Sequence, residues 1–319
     1  MLLDDLLSRR LLFLTGKGGV GKSVVGAAVA LAARERGQRV LLVEVAAPVE
    51  AGRLLGGAPS MGREIEVLPG LSTLNLDPAV VMDQYVRHVL PVDAVARRVL
   101  DSPIYRRFFA AAPGLKELMV LGKIMVLEEA RAGLAHRRRK AWDLIVVDAP
   151  ATGHGLAFLK VPLAASRAIP VGPVGHNARR VLELLRDPKR TALVVVAVPE
   201  EMAVVEALEF HRLAVDELEI APAAAVLNAC HERRFSNEEE AEVLRLTAAE
   251  ARGTLAPGVP LPAALRAARR QIRRRRLTRL YRGRLGRGLP IPLVSLPHLF
   301  RERLGRPELQ LLAERLEAA

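Results

Sequence analysis

The sequence predicts an α/β fold: a mostly parallel sheet with helices on both faces and a helical insert. Three observations predict it. Short apolar runs recur along the chain and alternate with helical segments, the pattern of strands buried on both faces. The first run passes through a glycine-rich loop straight into an Ala-rich helix. Residues 79–140 have no strand pattern and read as helices set into the sheet domain. The 319 residues, 50% apolar and 26% charged, suffice for one such domain over 1–319.

The elements follow in order. Leu11–Thr15 reads as a buried strand, and Val24 to Arg36 as a helix ended by Gly37. Val40–Val45 is a second buried strand. Thr73–Leu76, closed by Asp77-Pro78, is a weaker one. The insert breaks at Pro91, Pro103 and Pro113-Gly114. Leu144–Asp148, Ala192–Val198, Ala223–Asn228 and Ile291–Leu296 complete the strand set.

Composition narrows the chemistry. Only 3% of residues are aromatic, so Ala, Val and Leu must build the core. Cys230 is the sole cysteine. That excludes a disulfide framework and any zinc or iron–sulfur site built from the cysteines of one chain. No apolar run reaches the roughly 18 residues of a membrane span, and Leu11–Leu14 is too short for a signal-peptide core. A soluble, cytoplasmic chain is expected.

The net charge is +13, and only 7 of the 48 basic residues are Lys. Residues 251–300 hold twelve Arg and no acid, whereas 200–250 hold thirteen acids and four Arg. Pairing of the two blocks, within the chain or between subunits, is the expectation, with a polyanion-binding surface as the alternative. Nucleic acid is not expected as a partner; membrane contact is left open but is not indicated.

Gly16-Lys17-Gly18-Gly19-Val20-Gly21-Lys22-Ser23 matches G-x-x-x-x-G-K-[ST] between a strand and a helix, the context in which this loop binds phosphate. The glycines let backbone N–H groups turn toward a phosphate, and the helix N-terminus adds positive potential. Lys22 is expected at the β- and γ-phosphates, and the Ser23 hydroxyl on Mg²⁺. The apolar strand ending in Asp148 is the Walker B arrangement, which puts a second Mg²⁺ ligand beside Ser23. The sheet is therefore expected to be that of a P-loop NTPase, with a nucleoside triphosphate and Mg²⁺ as its cofactors.

Lys17 is not required by the general motif, and the full string resembles the deviant Walker A of the MinD/ParA/ArsA class. Asp148-Ala149-Pro150-Ala151-Thr152-Gly153-His154-Gly155-Leu156 resembles switch II of the ArsA family, which contains the arsenite-pump ATPase and the ATPase that targets tail-anchored membrane proteins. Further likenesses occur in the family's order. They are Leu74–Pro78 with Tyr85, Ala112–Leu118, Val198-Pro199-Glu200-Glu201 with Glu206, Val226-Leu227-Asn228, and Leu296-Pro297. The resemblance implies a nucleotide-sandwich dimer in which Lys17 reaches the partner's nucleotide and stabilises charge on the transferring phosphoryl group. It also implies that the nucleotide is ATP, that Asn228 reads adenine and that Pro297 lies near the base.

Three departures from the family matter. Ala46 stands where the family has the switch I Asp that positions the attacking water, while Glu44 keeps the preceding acidic position. A methyl group cannot orient water, so hydrolysis is expected to be slow unless Glu44 or a partner substitutes. The C-x-x-C of the targeting ATPase is missing. So are the thiols of a soft arsenite site. The expected machinery is thus Lys17, Lys22, Asp148 and Glu44 for catalysis, residues 16–23 with Asn228 and Pro297 for the nucleotide, and Ser23 with Asp148 for the metal. The main expectation is a dimeric ATPase that couples nucleotide state to a client through the insert. Its apolar stretch runs from Ile104, Phe108 and Phe109 to Leu127, and residues 136–140 read as a solvated turn. One alternative is a hydrolysis-impaired, ATP-binding subunit pairing with a paralogous ATPase. A second is a ParA/MinD-like partitioning ATPase, suggested by the Arg block at 266–287.

Overall fold

The computed structural model describes residues 2–45, 50–60, 62–90, 92–103, 107, 114–132, 140–150, 152–252, 254 and 262–318. Eight strands are β1 (Leu11–Thr15), β2 (Val40–Val45), β3 (Ile65–Leu68), β4 (Leu71–Leu76), β5 (Leu144–Asp148), β6 (Thr191–Ala197), β7 (Ala224–Cys230) and β8 (Leu293–Pro297). They form one sheet in the order β3-β4-β2-β5-β1-β6-β7-β8. Every pairing is parallel except β3 with β4. β1, β2, β5 and β6 are buried along their whole length, as strands covered on both faces must be.

Twelve helices lie among the described residues: α1 (Leu2–Leu7), α2 (Lys22–Glu35), α3 (Ala51–Leu54), α4 (Pro78–Val89), α5 (Asp93–Leu100), α6 (Leu115–Glu129), α7 (Thr152–Ala168), α8 (Gly172–Arg186), α9 (Glu201–Leu218), α10 (Asn237–Ala251), α11 (Pro262–Gly288) and α12 (Arg306–Glu317). α2 is buried continuously from Val25 to Ala33. It packs on β1, β2, β4 and β5, and α12 covers it from outside. Its alanines permit that two-sided burial because they carry no bulk to clear. None of the described helices is long and apolar enough to cross a membrane.

β1 lies between β5 and β6. The chain leaves β1 toward β2 on one flank and returns to β6 on the other. The carboxyl end of β1 is therefore a switch point, where ligands of open α/β sheets bind.

The structure extends several boundaries. β3 was not predicted: it is a short edge strand, half-buried, folded back by Pro69-Gly70, with Gly70 at φ 81. That dipeptide is a turn signal between two apolar runs. α1 was also not predicted, because six residues carry too little periodicity. α4, α5 and α6 fall within 79–140, apart from Pro78, and the predicted break at Pro91 lies outside the described residues. Asp77 caps α4 by accepting from the backbone N–H groups of Ala79 and Val80. Ile104, Phe108, Phe109, Ala112, Pro113 and residues 133–139 lie outside the described residues. Leu118, Leu121, Ile124 and Met125 are buried packing residues. Lys140 departs from the solvated turn: its Nζ donates to the Glu128 carbonyl at 3.0 Å and stands 3.7 Å from Glu128 Oε2.

Candidate functional site

The loop 16–23 connects β1 to α2 with the backbone that phosphate binding requires. Gly16 has φ 150, and a Cβ there would stand 2.1 Å from the Val196 carbonyl oxygen. Gly21 has φ 84, and a Cβ there would stand 2.4 Å from Asn228 Nδ2. Only glycine satisfies both the left-handed backbone and the close approach. Lys22 turns back over the loop, donating to the carbonyls of Gly16 at 3.1 Å and Lys17 at 3.4 Å. Burial pushes its ammonium pKa down, and the nearby Asp148 charge opposes that shift.

Ser23 and Asp148 meet as the sequence requires: Ser23 Oγ donates to Asp148 Oδ2 at 2.5 Å. Asp148 is pushed above its ordinary range by burial, against the hydrogen bond from Ser23 and the charge of Lys22. Its other oxygen, Oδ1, is buried without a hydrogen-bond partner among the described residues. Thr15 Oγ1, at the end of β1, is orphaned in the same way. Unpaired buried oxygens beside a phosphate loop are what a cation or its water shell would satisfy. The donor set fits Mg²⁺, a hard ion that prefers oxygen.

Glu44 pairs in register with Asp148 across β2 and β5. It is fully buried. Oε1 accepts from the backbone N–H groups of Glu50 at 2.8 Å and Ala51 at 2.9 Å, which holds the start of α3. Oε2 has no partner. Burial raises the Glu44 pKa more than these hydrogen bonds lower it. Glu44 thus supports the segment behind the site, while Ala46 and the side chains of Thr152 and His154 lie outside the described residues.

Asn228 sits at a bulge in β7, where pairing shifts between Leu227 and Cys230 and Ala229 takes φ 53. A bulge re-aims side chains, and here Asn228 Nδ2 donates to the Val20 carbonyl at 2.9 Å. Pro297 pairs with Cys230 on the neighbouring strand. Lys17 points along the surface, its Nζ 3.0 Å from Glu206 Oε1 of α9 in the same chain.

Residues far apart in sequence close the site. A cleft of about 750 Å³ has Lys22, Ser23 and Asp148 on one wall, and Glu50, Arg53 and residues 301–304 on another. That volume suits a small-molecule ligand. The stretch 298–305 runs from β8 across to α12. It is fastened at one end by His298 N donating to the Cys230 carbonyl, and beyond its other end by Arg306 Nη2 donating to that of Leu55. No motif in the sequence marks Glu50, Arg53 or Arg301–Leu304 as site residues.

Residues 9–170 match the family described as anion-transporting ATPase. The chain belongs to this ArsA ATPase family. ATPase BagA of Mycobacterium tuberculosis is 32% identical over 214 residues, 66% of this chain and 61% of that protein. The arsenical pump-driving ATPase of Escherichia coli is 32% identical over 218 residues, 63% of this chain and 36% of that protein. That of Acidiphilium multivorum is 32% identical over 202 residues, 58% of this chain and 33% of that protein. The match to each relative spans less than two thirds of its length. The family region contains the phosphate loop, β2, the described insert helices and Asp148, and Asn228 and Pro297 lie beyond it.

Proposed function

We propose that this ArsA-family chain binds ATP with Mg²⁺, closes into a dimer around it, hydrolyses it in the cytoplasm, and passes the nucleotide state to a protein client through the helical insert. The observation that carries this is the contact of Ser23 with Asp148 beside the glycine loop, with Asp148 Oδ1 buried and unpaired among the described residues. Ser23 and Asp148 would hold Mg²⁺, which when bound offsets phosphate charge. Lys22 exchanges its two loop carbonyls for phosphate oxygens, which stabilise the ammonium that burial disfavours. Lys17 leaves Glu206 to act on the partner's nucleotide. The partner is a second copy or a paralogue. Asn228 fastens the loop through Val20 and offers its amide oxygen toward a base, with Pro297 alongside.

The insert supports a client-facing role through a cavity of about 460 Å³ between α4, α6 and α8, lined in part by Tyr85, Met119 and Met125, with Val126 exposed beside it. Arsenite is not the proposed cargo. Cys230 is buried, and burial pushes its thiol pKa up to about 11, which leaves it inert as a soft ligand. Calorimetry with Mg–ATP, sedimentation with and without nucleotide, and phosphate release test the proposal together. Saturable heat lost in Lys22→Ala supports it, and absence of heat from folded wild-type protein overturns it.

A second proposal is an ATP-binding subunit that hydrolyses poorly alone and pairs with a paralogous ATPase. Ala46 in the sequence favours it, as does the commitment of Glu44 to the start of α3. Ala46→Asp then raises turnover by about 10²–10⁴-fold, the scale of a general base. Rapid hydrolysis by the unmodified homodimer excludes this version.

A further inference from the structure

α11 carries eleven arginines and neither lysine nor acid over Pro262–Gly288. Ten of these arginines are exposed and only Arg275 is half-buried. The neighbouring acidic helix α10 takes up two of them: Arg276 stands 3.4 Å from Glu240, and Arg266 3.4 Å from Glu250. Pairing between the two charge blocks therefore exists but is sparse. The side chains of Arg269, Arg270, Arg273, Arg279, Arg284 and Arg287 make no hydrogen bond or ion pair among the described residues. Like charges three and four residues apart destabilise a helix. α11 holds against that cost because Leu265, Ile272, Leu285 and Leu289 anchor this helix and the turn after it in the protein.

The unpaired arginines are arranged rather than scattered. At about 100° per residue, Arg269, Arg270, Arg273, Arg284 and Arg287 fall on one face, roughly a third of the helix circumference. From Arg269 to Arg287 that face runs about 27 Å at 1.5 Å per residue. Guanidinium groups bind phosphate oxygens in forked pairs. A cationic ridge of this length can face several successive phosphates flanking a duplex groove.

We propose that the outward face of α11 is a docking surface for the sugar–phosphate backbone of double-stranded DNA, bound without regard to sequence. Three observations choose this partner. The apolar side of α11 is spent on internal packing, and of its large apolar residues Leu280 alone is well exposed, so the helix has nothing to sink into a bilayer. Its one aromatic residue, Tyr281, packs against the core, so there is no platform for unpaired bases. A helix 10–12 Å across fits along the roughly 12 Å major groove of B-form DNA, whereas the A-form groove of duplex RNA is too narrow and deep. None of the α11 arginines lines the cleft at the phosphate loop, and the inference goes beyond the ATPase proposal without resting on it.

The test is anisotropy of a labelled DNA duplex with the full chain across a salt series. The same titration is run with duplex RNA and single-stranded DNA, and co-sedimentation is run with vesicles rich in phosphatidylserine. The expected result is duplex DNA binding whose logarithm falls against log salt with a slope of about −4 to −5, five contacts at about 0.9 each. Arg269→Ala/Arg270→Ala/Arg273→Ala, with an unchanged melting temperature, binds at least tenfold more weakly at low salt, with a slope shallower by about three. The corresponding triple Lys variant keeps most of the affinity, and Lys22→Ala keeps it too. Absence of salt-dependent DNA binding, an unaffected triple Ala variant, or tighter binding to RNA, single strands or vesicles overturns the proposal.

Discussion

Asp148 is held against its own stability. Its carboxyl, like that of Glu44, binds its proton more tightly in the folded chain than in the unfolded one, because both are buried. The unfolded chain releases protons first as pH rises. Stability of the nucleotide-free protein therefore falls as pH climbs above the ordinary values of 3.8 and 4.5, and levels off above the raised ones. Asp148→Asn is expected to raise the neutral-pH stability of the free protein by about 1 kcal/mol, as functional-site substitutions often do, while abolishing Mg²⁺-dependent nucleotide affinity. Thermal melts and calorimetry on the same variant check both halves. Gly21→Ala should do the reverse of a benign loop change, because its φ of 84 and the 2.4 Å approach to Asn228 leave no room for a methyl group. A loss of about 1–3 kcal/mol is expected, read as a lower denaturant midpoint with nucleotide binding weakened in parallel.

At the scale of the element, Glu128 explains how α6 stays on the sheet. It is buried near the end of that helix. Arg10 Nε donates to it at 2.7 Å and Arg190 Nη2 at 2.5 Å. Those two arginines stand just before β1 and β6, so one carboxylate ties the insert to two neighbouring inner strands. Burial alone would raise the Glu128 pKa, but hydrogen bonds from Arg190 and Arg10, with their charges, hold it below the ordinary range. The resulting stability is fully present above the ordinary value of 4.5 and is lost as pH falls through the lowered one. Removing one partner of a buried ion pair costs about 3–5 kcal/mol. The arginines here are a quarter to a third exposed, so about 2–3 kcal/mol is expected for Glu128→Gln. Urea melts at pH 7 measure the loss, and melts at low pH should bring wild type and variant together.

At the scale of the whole molecule, the proposed dimerisation would have to compete with the pair between Lys17 and Glu206. Both side chains are about a third exposed, and surface pairs of this kind contribute only about 0–1 kcal/mol. The pair is thus a weak restraint rather than a lock. Glu206→Gln is expected to change nucleotide-dependent dimerisation by less than about fivefold, whereas Lys17→Ala removes turnover while leaving ATP binding to the monomer. Sedimentation velocity beside single-turnover phosphate release separates the two outcomes. A large gain of dimer in Glu206→Gln would show that the contact restrains assembly more than its exposure allows.

The phosphate loop, the strand ending at Asp148 and the alternation of buried strands with helices were legible because each is a local pattern. Chain connectivity fixes the strand–loop–helix spacing, and two-sided burial leaves its mark as continuous apolar runs. β3 and α1 escaped because a half-buried edge strand and a six-residue helix produce hardly any periodicity. Tertiary structure alone decided that Glu44 caps α3, that Lys140 turns inward to Glu128, that residues 301–304 face the phosphate loop, and that α11 keeps most of its arginines unpaired. These depend on which distant segments become neighbours. Packing of the whole chain sets such neighbours, and no short stretch of sequence encodes them.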